Sequence, residues 1–142
     1  MMTRYALAIL AYVVPTFAIG FVWHLVLFEQ YYAALQIYRS DIIIPFGLLS
    51  MLIQAILFAW IYHKGFAGQG GTWVGRAARY AAVGALLSWS FTTLAVAAKN
   101  LMASVPDYIV IETAFTIVQW IIVAPLTTLA FAPKAGIKAA TA

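Results

Sequence analysis

The segment Tyr108–Phe131, YIVIETAFTIVQWIIVAPLTTLAF, decides how this chain must fold. It contains one charged residue, Glu112. At about 1.5 Å of rise per residue, a helix of this length crosses a hydrocarbon core of roughly 30 Å. A carboxylate within such a helix is costly unless it is paired, protonated or hydrated. Residues elsewhere in the chain that can share its layer are therefore the first candidates for a site.

The composition points the same way. Of 142 residues, 65% are hydrophobic and 8% are charged, against about 25% charged in a soluble domain. The length suits one transmembrane domain, residues 1–142, with the lipid bilayer as its first partner. The chain has no cysteine, which rules out disulfides, thiolate metal sites and cysteine nucleophiles. The net charge of +4 is spread over helix ends and forms no basic face, so no nucleic-acid partner is expected.

Three further apolar runs complete the pattern, giving spans at about 5–28, 41–63, 73–102 and 108–131 and a tail at 132–142. The first competes with a signal-peptide reading, with Arg4 as the basic start and Ala18-Ile19-Gly20 as a small-residue cleavage site. The apolar run continues through Trp23 to Phe28, which favours an uncleaved helix kinked at Pro15. Residues 29–40, EQYYAALQIYRS, are too aromatic for a plain loop and predict a short interfacial helix, either an anchor or a lid. Asp41 and Pro45 suggest the start of the second span. KGFAGQGG, residues 64–71, lacks the strand and the Lys-Ser/Thr of a phosphate loop and reads as a flexible connection. Pro106 predicts a tight turn before the last span. The fold class expected is an all-α, four-helix membrane bundle with a short interfacial helix between the first two spans.

Lipid is as apolar as leucine, so small and polar stripes, not apolarity, mark helix interfaces. They are Tyr12, Thr16, Gly20 and His24 on the first span; Gly47, Ser50 and Gln54 on the second; Gly84, Ser88 and Thr92 on the third; and Glu112, Thr116 and Gln119 on the fourth. Thr16, Gln54, Ser88 and Gln119 come to a similar depth, about 20 Å in by helical rise, and form a midplane polar layer that glues helices or binds a ligand. His24 and Glu112 lie about 6 Å and 9 Å inside their helix ends. Lys99, Asn100 and Trp23 are near enough in depth to join them. This outer layer either binds a ligand or proton, or is a self-satisfied structural pair.

Other chemistries lack their residues. His24 and His63 fall near opposite faces, so one haem iron cannot take both. Neither a metal cluster, a catalytic constellation nor a cofactor motif is expected.

WHLVLFEQYY (Trp23–Tyr32) and IIPFGLLSMLIQAILFAWIY (Ile43–Tyr62) together resemble small four-span bacterial inner-membrane proteins to which no activity is attached. The resemblance implies a class and a membrane. Small multidrug transporters are similar in size and span number, but the embedded glutamate of their first helix has no counterpart here, where the nearest ionisable group is His24. Two functions follow as expectations: a non-enzymatic protein that binds or passes a small ligand or a proton through the outer layer, or a structural subunit that packs in a homo-oligomer or against another membrane protein.

Lysine and arginine set the expected orientation. Arg4, Lys64, Arg76, Arg79, Lys134 and Lys138 fall on one side, and Arg39 and Lys99 on the other. The richer side, with both termini, is expected in the cytoplasm. A Gln69→Cys variant should therefore resist a membrane-impermeant thiol reagent in intact cells and react after lysis, and labelling in intact cells would reverse the orientation.

Overall fold

A computed structural model describes residues 1–132. Helix α1 spans Met2–Leu27, α2 Glu29–Leu35, α3 Ile44–Gly65, α4 Trp73–Ala97 and α5 Val105–Ala130. There is no strand among the described residues. Helices α1, α3, α4 and α5 are long and apolar enough to cross a membrane, and α2 is the short helix between the first two. The architecture is a membrane helical bundle. Lys134 and Lys138, and the tail expected from residue 133 onward, lie outside the described residues.

The helix ends follow local chemistry. Thr72 caps α4 by accepting the Gly75 N–H at 3.0 Å. Ser104 caps α5 in the same way through Asp107, and Pro106 sits in the first helical turn, where its missing N–H costs nothing. The last span therefore starts before Pro106, not after the turn expected there. Asp41 does not cap α3: it pairs with Arg39 at 3.0 Å, both side chains exposed, and the helix begins at Ile44 with Pro45 in its first turn. α4 stops at Ala97, short of the expected Met102. α1 and α5 run on through Pro15 and Pro125.

α5 is the axis of the bundle. In its most apolar window 39% of residues are buried, against 17% in each of the other spans. It packs along both α1 and α4, while α3 leans on α1 and meets α5 sparsely. Two buried clusters line this axis. The larger, at the end of the bundle near the termini, is aromatic: Tyr12, Phe58, Tyr62, Tyr80 and Phe131 surround or extend from Trp120. The smaller, at the α2 end, joins Tyr32 and Leu35 to Tyr108 and Ile111. Large apolar side chains on the outer faces, such as Leu49, Leu86, Phe91 and Ile121, are exposed, as lipid-facing residues are in a membrane bundle.

The expected small stripes behave differently from one another. Gly84 is a close-approach position: a Cβ there would overlap the Trp120 ring. Trp120 also meets Phe58 at 4.8 Å and Tyr80 at 5.4 Å, and its Nε1–H donates to Ser88 Oγ at 2.7 Å. Gly20 and Gly47 pack against nothing, since a Cβ at either would find no atom within 4 Å. Their role as packing surfaces is corrected. Residues 44–50 are exposed throughout, so the first half of α3 stands away from the bundle.

Helix propensity alone would make Gly84→Ala stabilising. Overlap with a ring held on several sides decides otherwise, and Gly84→Ala should destabilise the protein by roughly 1–3 kcal/mol. Leu86→Ala, at a position 66% exposed, should change stability by less than about 0.5 kcal/mol. Unfolding in detergent compares them, and equal effects would remove the Trp120–Gly84 contact from the account.

Candidate functional site: a histidine–glutamate–tyrosine cluster beside an open cleft

The site begins with a change in helix type. At Trp23–Leu27 the first span passes into a π-helical turn, in which the Phe28 N–H reaches the Trp23 carbonyl at 3.0 Å. The wider turn lets two successive side chains face the bundle. Trp23 packs on Phe28 at 4.6 Å and Phe115 at 6.0 Å, while His24 meets the other side of the site, with Phe115 at 4.6 Å. A second π-helical turn, Ser90–Leu94, interrupts α4. There the Tyr108 hydroxyl donates to the Thr92 carbonyl at 2.8 Å, and Trp89 Nε1–H donates to Thr113 Oγ1 at 2.9 Å.

Glu112 is 7% exposed, two turns into the central helix. His24 Nε2 lies 3.2 Å from its Oε1, and the Tyr32 hydroxyl donates to the same oxygen at 2.6 Å. His24 Nδ1 lies 2.8 Å from the Gly20 carbonyl oxygen. A carbonyl only accepts, so Nδ1 carries a proton. Nε2 and Oε1 then hold one proton between them: an imidazolium facing a carboxylate, or a neutral imidazole facing a carboxylic acid. The pair is electrically neutral in both forms.

Tyr32 reaches Glu112 because α2 is folded down over the end of the bundle. Tyr32 and Leu35 are buried, and the Leu35 carbonyl accepts the Ala103 N–H at 3.0 Å. Gln36 closes the helix in the left-handed region, at φ 57°, and turns the chain toward Tyr38, which stacks on Tyr32 at 5.3 Å. Burial first, and then the bond to Glu112, hold the Tyr32 phenol well above its ordinary range. A raised phenol is protonated throughout the physiological range. Its contribution is complete below the ordinary tyrosine value of about 10 and is lost only as pH rises past it.

The remaining outer-layer candidates fall differently. Lys99 and Asn100 are exposed just beyond α4, and no side-chain hydrogen bond joins either to the pair. Trp23 is beside the site, its Nε1 buried without a partner. Tyr32 was legible only as an aromatic anchor or lid, and its spacing from Leu35 on one face of α2 was the available signal. The midplane residues are bonded in separate groups. Gln119 Nε2–H donates to Thr16 Oγ1 at 3.1 Å, the Tyr12 hydroxyl to Gln54 Oε1 at 2.8 Å, and Gln54 Nε2–H to Ser50 Oγ at 3.0 Å, while Ser88 serves Trp120. His63 sits at the other end of the bundle, against Tyr5 and Phe131. No group of three histidine, aspartate or glutamate side chains suited to a metal occurs among the described residues.

Beside His24 lies a cleft of about 420 Å³ between α1 and α3. Thr16, Gly20 and His24 line it from α1, Gly47 and Leu48 from α3, and Tyr38 and Phe115 at its outer part. It exists because α1 and α3 meet through Ala8, Tyr12, Ala55 and Ala59 near the termini and separate toward the α2 end, where bare Gly20 and Gly47 leave room. Partly exposed Phe21 and Leu48 stand on its walls, so it opens on the lipid-facing flank.

Comparison with known proteins finds no match to the chain among family models, curated proteins or solved structures.

Removing only the Tyr32 hydroxyl, in Tyr32→Phe, should cost about 0.5–3 kcal/mol, the range spanning a hydrogen bond to a neutral and to a charged acceptor. Glu112→Gln should destabilise less than Glu112→Leu, because the amide still hydrogen-bonds its neighbours. It should also change the nuclear magnetic resonance titration of His24. A His24 titration identical to wild type would show that the two side chains do not interact.

Proposed function

We propose that this is a bacterial inner-membrane protein, with both termini cytoplasmic, that binds a small lipophilic molecule entering the α1–α3 cleft from the bilayer. It acts by binding, not by catalysis. One observation carries the reading: an open, largely apolar cleft runs alongside His24, which is locked to a buried glutamate. A volume of about 420 Å³ falls within the range of small-molecule sites, roughly 300–1,000 Å³. The His24–Glu112–Tyr32 cluster closes the outer end, tying α1, α2 and α5 together so that the mouth keeps its shape. The midplane pairs support the fold.

A second reading has its own support. The exposed first half of α3, with bare Gly47, also suits a helix of another membrane protein or of a second copy, and the protein would then be a structural subunit.

Native mass spectrometry of protein purified in lipid nanodiscs separates the two. A retained small molecule is expected. Gly20→Leu and Gly47→Leu should each abolish its retention, while changing stability by less than about 0.5 kcal/mol, because neither glycine touches a neighbour. Retention unchanged in both variants would sink the cleft as the site, and a retained protein chain lost on Gly47→Leu would establish the structural reading instead.

A further inference from the structure

We infer that the ligand of the α1–α3 cleft is a neutral lipophile whose polar end is a carbonyl acceptor of the ketone or quinone kind, held by the Thr16 hydroxyl. This rests on the cleft reading above and narrows it to one ligand chemistry.

Charge comes first. Among the described residues, His24 is the sole side chain lining the cleft that can carry a charge near neutral pH. Its charge, when present, is matched by Glu112 at 3.2 Å. Arg39 and Asp41, which flank the lining residues Tyr38 and Ile42 in sequence, are exposed and paired with each other. A carboxylate or ammonium entering the cleft would therefore lose its water and meet no opposite charge free to compensate it.

Hydrogen-bonding capacity comes second. Both His24 nitrogens are engaged, Nδ1 with Gly20 and Nε2 with Glu112. The histidine thus contributes ring surface to the cleft and no spare donor. Thr16 is different. It is 8% exposed and lines the cleft, and its Oγ1 accepts from Gln119 Nε2 at 3.1 Å. Its own proton has no acceptor among the described residues, although Thr92, Thr113 and Thr128 each donate to a backbone carbonyl of their own helix. A threonine hydroxyl that accepts from a fixed amide and keeps its proton unspent presents a donor. Tyr38, also on the cleft wall, is 44% exposed, so its hydroxyl faces the surroundings and makes no demand on a ligand. One buried neutral donor in an apolar cleft, with no free charge beside it, selects a neutral acceptor. A carbonyl meets that demand without bringing a donor that the cleft cannot satisfy.

A matched series tests this in wild-type protein: methyl nonyl ketone, undecanoate and undecylammonium, titrated into nanodiscs of diether phospholipid, which contain no carbonyl. The ketone should bind most tightly, and its infrared carbonyl band should move to lower frequency. Thr16→Val should weaken ketone binding about tenfold, the equivalent of one hydrogen bond, and abolish the band shift. Thr16→Ser, which keeps the hydroxyl, should restore both, and Gly20→Leu should exclude the ketone. Undecanoate or undecylammonium binding as tightly as the ketone would overturn the neutral-carbonyl inference and leave the cleft reading standing. Ketone binding with an unchanged band, or unaffected by Thr16→Val, would overturn Thr16 as the donor. If none of the three binds, the inference and the cleft reading fall together. Should Thr16→Val not fold, the charge series and Thr16→Ser decide.

Discussion

Glu112 puts a carboxylate on the most buried helix of a protein otherwise built of apolar side chains, and the α2 end of the molecule is arranged around that constraint. A carboxylate in this position needs either a proton or opposed charge, and it needs donors. It obtains both on one oxygen, from His24 at 3.2 Å and Tyr32 at 2.6 Å. His24 supplies its part from the π-helical turn that ends the first span, and Tyr32 from a helix folded back over the end of the bundle, where it is buried. Two helices consecutive in sequence, α1 and α2, are thereby tied at one point to the distant α5.

The two ends of the bundle solve different problems. Near the termini, Trp120 fills the space between helices and seats on Gly84, with Tyr12, Phe58 and Tyr80 packed edge-on around it. Aromatic rings supply large contact area there, and tyrosine and tryptophan polar atoms find partners across helices. At the α2 end α3 departs from α1, and the glycines facing the gap have nothing against them. The result is a close-packed base with an open cleft beside it. A site that admits a molecule from the side of the bundle needs both, since the cleft keeps its shape only if the helices are clamped elsewhere.

Much of the architecture was legible in the residues. Four long apolar runs can only be membrane helices, because lipid leaves a chain no other way to satisfy its backbone. The aromatic run after Phe28 marked the interfacial helix. Counting helical rise brought His24 and Glu112 to one depth, because depth along a straight helix is a local property. The same counting brought Lys99 and Asn100 to that depth, yet both are exposed. Which way a residue faces around the helix axis depends on how the helices pack. The π-helical turns, which change that direction by adding a residue to a turn, leave no pattern in the composition.

Taken alone, the sequence determined the class of molecule, the number and approximate extent of its spans, and the short list of residues too polar to face lipid. These follow from local chemistry: hydropathy over a helix length, prolines and hydroxyls at helix ends, and the cost of an unpaired charge in hydrocarbon. Only the tertiary structure decided that α5 is the axis, that Tyr32 and not Lys99 completes the cluster, and that Gly84 seats a ring while Gly20 and Gly47 border a void. A glycine has the same local meaning at all three positions. Whether its missing side chain becomes a contact or a cleft is set by what the neighbouring helix brings to it, and that depends on the packing of the whole bundle.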